Sequence, residues 1–164
     1  MADIIAHDLT KGSVASDDYL IGIDTSNDSE VYQTLVSDLV RLVLNESTGA
    51  ITYSSGFSAY SGQTPILKKA GKVVDFHGAI TYSGSGSIVA DTNYTTICTI
   101  PTGYRPATMI NVLCQGNGTE TYLLRINTNG TVQFARYRNA AGTYQTITSS
   151  KNVWLPFSVS WIVA

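Results

Sequence analysis

Charge is scarce in this chain. Asp, Glu, Lys and Arg make up 13% of its 164 residues and sum to a net charge of -2. An average soluble domain carries roughly 25%. Without a basic footprint, nucleic acid is excluded as a partner. Histidine is rarer still: His7 and His77 lie far apart, and no His/Cys/Asp/Glu cluster has metal-ligand spacing. The two cysteines, Cys98 and Cys114, are too few for a disulfide framework and read as small buried hydrophobes. No apolar run approaches the roughly 18 residues of a membrane-crossing helix, so no membrane insertion is expected. The opening segment Met1–Asp8 has neither a basic stretch nor an apolar core, so no signal peptide is expected and the cysteines should be reduced. There is no phosphate-cradling glycine loop and no Gly-x-Ser-x-Gly elbow. From residue 73 onward the only acids are Asp75, Asp91 and Glu120, and none pairs with another as glycan hydrolysis requires. The expectation is a protein that is not an enzyme and holds no cofactor.

In place of charge there are 20 Thr, 17 Ser, 14 Gly and 10 Tyr. With 43% hydrophobic residues in short runs, that composition implies a mainly β chain rather than a disordered one. The charge that exists is uneven. Residues 1–72 hold nine acids against five bases, net -4, and residues 73–164 hold three acids against five bases, net +2. The sign change suggests two functional halves.

The first part reads as a small hairpin-helix module over residues 1–46. Tyr19–Ile23 and Glu30–Gln33 are strand candidates around the turn cluster Asp24–Ser29. Leu35, Leu39 and Leu42 then fall at i, i+4, i+7 beside Val36, Val40 and Val43, a helical face running to about Leu44 with Thr34 as N-cap. So wide an apolar face must be covered, by its own hairpin or by copies or partners. Leu35, Leu39, Leu42 and Val43 are therefore the candidate oligomer or attachment residues. Residues 47–72, broken by Ser54-Ser55-Gly56, Ser61-Gly62, Pro65 and Gly71, read as an extended connector. From Val73 short strands alternate with turns: Val73–Tyr82, Ile88–Ala90, Tyr94–Ile100, Met109–Gln115, Tyr122–Asn127, Thr131–Tyr137, Tyr144–Thr148 and Val153–Ala164. Thr128-Asn129-Gly130 carries the Asn-Gly hairpin signal. That spacing predicts an antiparallel β-sandwich or jelly-roll-like head over 73–164.

Three loop zones in the head combine aromatic rings with planar amides, carboxylates and guanidiniums, the chemistry that covers the apolar face of a sugar and bonds its hydroxyls in pairs. They hold Asp91, Asn93 and Tyr94; Arg136, Tyr137, Arg138, Asn139 and then Tyr144; and Lys151-Asn152-Val153-Trp154. Trp161 falls inside the closing alternation Phe157, Val159, Trp161, Val163 and is assigned to the core; Trp154 falls outside it and is assigned to an interface or site.

Several stretches resemble bacteriophage tail proteins. Tyr19–Asp24 followed by Val31–Leu39 resembles the N-terminal hairpin-helix of tail-fibre and baseplate proteins. Gly71–Ile80 resembles the first strand of phage receptor-binding heads, and Ile100-Pro-Thr-Gly-Tyr-Arg-Pro106 their proline-bracketed turn; the Ile126–Val132 hairpin and the closing Ser158–Ile162 also fit. The resemblance implies a homotrimeric tail-tip protein of the virion. Its N-terminal part would dock to other tail or baseplate proteins, and its C-terminal head would recognise a bacterial cell-surface saccharide. The matching head motifs are structural, so no ligand-contacting residue carries over. Trimerisation would cover the Leu/Val face, and multiplied weak contacts can exceed single-site affinity by about 10²–10⁴. The alternatives are a structural adaptor that touches only virion proteins and, less favoured, a glycan depolymerase with carboxylates from two subunits.

Overall fold

The computed structural model describes residues 19–24, 30–35 and 46–163. The chain divides into two compact units, Met1–Asn45 and Glu46–Ala164.

In the first unit β1 (Tyr19–Asp24) pairs antiparallel with β2 (Glu30–Leu35), Tyr19 opposite Leu35 and Asp24 opposite Glu30. Thr34 and Leu35 thus extend a strand instead of opening a helix. Each has a cross-strand partner, Leu20 and Tyr19. The rest of the expected helix, with Leu39, Leu42 and Val43, lies outside the described residues.

The second unit is mainly β, and every strand pair in it is antiparallel. One sheet has the order β14 (Leu155–Ile162), β7 (Val73–Tyr82), β6 (Ile66–Ala70), β3 (Ser47–Gly49), with β5 (Phe57–Ala59) also on β7. The other has the order β10 (Ile110–Gln115), β11 (Thr121–Ile126), β12 (Thr131–Arg138), β9 (Thr95–Thr99), β4 (Thr52–Tyr53). A small ribbon pairs β8 (Ser87–Val89) with β13 (Thr146–Thr148), followed by a single 3-10 turn at Ser149–Lys151. The edge strand β10 lies beside β14, so the sheets curl towards each other on that side.

Residues 47–72 are not an extended connector. They carry β3, β4, β5 and β6, and these complete both sheets: β4 adds to β9, and β5 and β6 follow one another along β7. The unit therefore begins at Glu46, well before Val73. The physical reason is that strands of two to five residues have too little length to show a period, and β4 finds its hydrogen bonds only on distant partners, Thr52 facing Thr99 and Tyr53 facing Cys98.

Both sheets turn apolar faces to one core. Val74, Phe76, Ile80, Leu155, Phe157 and Trp161 from the first meet Ile97, Tyr122, Leu124, Ile126, Val132 and Phe134 from the second. The register explains which side faces in: Leu124 opposes Phe134 and Ile126 opposes Val132, so alternate residues of β11 and β12 share the buried face. Trp161 is core as expected, with its indole N–H donated to the Tyr104 carbonyl at 2.8 Å. Tyr122 is fully buried but satisfied, its hydroxyl donated to the Pro156 carbonyl at 2.7 Å.

Both cysteines are free, Cys98 wholly buried and Cys114 half-buried. Burial pushes the Cys98 thiol from its usual 9.0 up to about 12. The folded chain therefore holds this proton where the unfolded chain has lost it, and the linked stability is fully present below pH 9 and lost as pH rises towards 12. Burial raises Tyr122 well above its usual range and acts in the same direction. Urea midpoints should fall across that alkaline window, and Cys98→Ala should flatten part of the slope. A slope identical in the variant would show that Cys98 carries none of it.

Candidate functional site

Trp154 stands just beyond the 3-10 turn. Asn152 at the end of that turn takes a left-handed backbone with φ of 46°, a conformation that asparagine tolerates. This bend ends the turn and delivers Trp154 ahead of β14. Two contacts hold it. Its backbone N–H is donated to Asn117 Oδ1 at 2.7 Å, and its indole N–H to Gln63 Oε1 at 2.7 Å. The ring is half-buried and lines two open depressions. One, about 430 Å³, is lined by Tyr60, Gln63, Asn117, Lys151, Asn152 and Trp154, among others. The other, about 660 Å³, is lined by Gln63, Thr64, Ile66, His77, Trp154 and Pro156, among others. Both volumes lie in the range of roughly 300–1,000 Å³ usual for small-molecule sites.

The polar groups around the ring are held from behind. Lys151 Nζ donates to Glu120 Oε1 at 2.9 Å and to Gln145 Oε1 at 3.4 Å. The pair is largely buried, with Glu120 Oε2 unpartnered and Lys151 lying 5.2 Å from the centre of the Tyr137 ring. On the other side His77 Nδ1 lies 2.6 Å from Asp75 Oδ2, and Ser160 Oγ donates to Asp75 Oδ1 at 3.2 Å. The β14–β7 register sets this up, Ser160 facing Asp75 and Ser158 facing His77.

The remaining candidates fall elsewhere. Tyr137 is not a surface ligand group but wholly buried core. Strict alternation from Val132 and Phe134 would point Arg136 inward and Tyr137 outward. A bulge intervenes: the β11–β12 register shifts between Thr121 and Leu123, and Arg136 takes a φ of 57°, so Tyr137 turns in beside Tyr122. Its hydroxyl accepts from the Asn117 N–H at 3.1 Å, and burial raises its pKa. Arg136 itself is exposed, bonded by its backbone N–H to the Asp91 carbonyl at 2.6 Å. Asp91 and Asn93 form a side-chain-capped turn, the Asn93 N–H donated to Asp91 Oδ1 at 2.7 Å. Asn139 does the same for Thr143 at 3.0 Å. Both are turn chemistry. Tyr94 lies under the Arg125 guanidinium at 3.5 Å, and Arg138 sits 4.5 Å over Tyr144 while donating to its hydroxyl. Each of these arginine–tyrosine pairs covers its own ring.

Of the three loop zones, the one at Trp154 lines two open depressions with an aromatic face and several amides. The sequence reading missed Tyr60, Gln63, His77 and Asn117 as members. Asn117 carried a signal, since the Gly116-Asn117-Gly118 turn leaves its amide free to bond elsewhere. Among the described residues no group of three or more His, Cys, Asp or Glu could hold a metal ion. Comparison with protein family models, curated proteins and solved structures finds no match to this chain.

Proposed function

We propose that this chain is a bacteriophage tail receptor-binding protein, carried in the virion. Its second unit, read as a β-sandwich head, would hold a host cell-surface saccharide at Trp154. Its first unit would dock to other tail or baseplate proteins within a homotrimer. The tail setting rests on the sequence resemblance. The saccharide reading rests on one observation: a half-buried indole, locked by Gln63, that lines two open depressions, the smaller mainly polar and the larger mainly apolar. Such a ring covers the apolar face of a pyranose while neighbouring amides bond its hydroxyls.

The test is adsorption of the purified protein to intact bacteria and to a bacterial glycan array. Trp154→Ala should weaken binding by at least about 30-fold, the ~2 kcal/mol of an aromatic hot spot, with the melting temperature nearly unchanged. Undiminished binding by a folded Trp154→Ala variant refutes this site. Release of reducing ends from a bound polysaccharide would instead favour the depolymerase.

The adaptor reading has its own observation. Val73 and Ile162 are cross-strand partners, 52% and 64% exposed, an apolar pair on the outside of the first sheet. Failure to bind bacteria, together with co-assembly lost in Ile162→Asp, would establish the adaptor role.

A further inference from the structure

We infer that Trp154 is a ridge between two adjoining sugar subsites, and that the ligand is an internal run of at least two uncharged sugar units. This rests on the saccharide reading above. Gln63 and Trp154 line both depressions, so the two lie either side of one bonded pair of side chains. Both are open, so a chain can enter and leave without ending there. A pocket for a single terminal sugar would close on one side.

The hydrogen-bonding atoms are already sorted. Gln63 spends its oxygen on the indole, which leaves its amide N–H₂ as donor. On the larger side His77 turns Nδ1 to the Asp75 carboxylate; in the neutral imidazole that places the proton on Nδ1 and makes Nε2 an acceptor. A donor and an acceptor lining one depression suit neighbouring hydroxyls, each of which can give and take a bond. On the smaller side Lys151 commits two of its three donors to Glu120 and Gln145, and Asn152 supplies an amide.

The charge balance selects the class. Lys151 is the single Lys or Arg lining either depression, and Glu120 neutralises it at 2.9 Å; neither depression is lined by Asp or Glu. A uronate or sialate would need an uncommitted cation to offset the loss of its hydration, and none lines the groove.

The test uses an array of bacterial glycan fragments of one, two, three and four sugars, in neutral and in uronate- or sialate-bearing sets. The neutral two-sugar fragments should bind about ten-fold or more tighter than single sugars, a step of 1.4 kcal/mol, with little gain beyond three. His77→Phe on one side, and Asn152→Gly on the other, should each reduce two-sugar binding to the level of a single sugar. Asn152→Gly keeps the left-handed backbone, so it spares the loop. Single sugars binding as tightly as longer fragments, or acidic sets binding best, overturn this inference and leave the saccharide reading standing. No binding to any fragment overturns both.

Discussion

Phe76→Ala should cost about 3–5 kcal/mol, the range for removing a fully buried aromatic side chain. Phe76 is wholly shielded at the middle of β7, its ring 4.4 Å from Phe157 and 6.3 Å from Trp161. β7 is also the strand on which β14, β5 and β6 all pair, so the vacated space cannot be filled by moving one edge. Small domains are stable by only about 5–15 kcal/mol, so this one change removes a large part of the whole. Thermal unfolding followed by circular dichroism should show a drop of roughly 10–25 °C. Val73→Ala, three positions away on the same strand but half exposed, should move the midpoint by a few degrees at most. Equal shifts for the two variants would mean that the core is not centred where these rings meet.

The longer head strands were legible because they have the length to alternate. Val73–Tyr82 coincides with β7, and Thr131–Tyr137 falls one residue short of β12. Asn129-Gly130 marked its hairpin: Gly130 has a φ of 90°, and Asn129 Oδ1 accepts from the Thr131 N–H at 3.0 Å. What could not be read was short or depended on distant partners. β4 is two residues long and exists because Thr52 and Tyr53 find Thr99 and Cys98. Leu35, expected on the helical face, is instead the last residue of β2, where Tyr19 is its cross-strand partner.

The candidate site was half legible for the same reason. Trp154 stood out because it breaks the alternation that buries Phe157 and Trp161, and its exposure follows from that. Tyr137 misled because a bulge changes which face a residue takes, and nothing in Gln133–Arg138 announces one: Arg136 occupies a left-handed conformation that glycine or asparagine would have signalled. Gln63 lies 91 positions from Trp154 and reaches it only because β5 and β6 pair along β7. Composition can nominate an aromatic ring, but the amides that orient it come from wherever the topology returns the chain.

Gly78→Ala tests that dependence directly. Gly78 sits on β7 between the stretches paired with β6 and β5, where the intervening loop crosses. Its φ is 137°, and an added Cβ would lie 2.5 Å from Pro65 Cα and 2.8 Å from Pro65 N, both backbone atoms that no rotamer change can move aside. The strained backbone costs about 1–3 kcal/mol and the crowding a further 1–3 kcal/mol or so. Gly62→Ala separates the two, since φ there is 78° with nothing within 4 Å, so only the backbone cost applies. Urea unfolding should rank wild type above Gly62→Ala above Gly78→Ala. The crowding also has a place to go. Pro65 is two residues from Gln63, whose carbonyl accepts from the Ala79 N–H at 2.9 Å and whose side chain holds the Trp154 indole. Relief of the clash must push this segment off β7 and take Gln63 with it. Under conditions where Gly78→Ala is still folded, the glycan binding we propose should therefore fall by about ten-fold or more, the loss of one oriented hydrogen-bonding partner beside Trp154. Binding unchanged in a folded Gly78→Ala variant would show that Trp154 does not need Gln63, and that the two depressions do not act through a shared ridge.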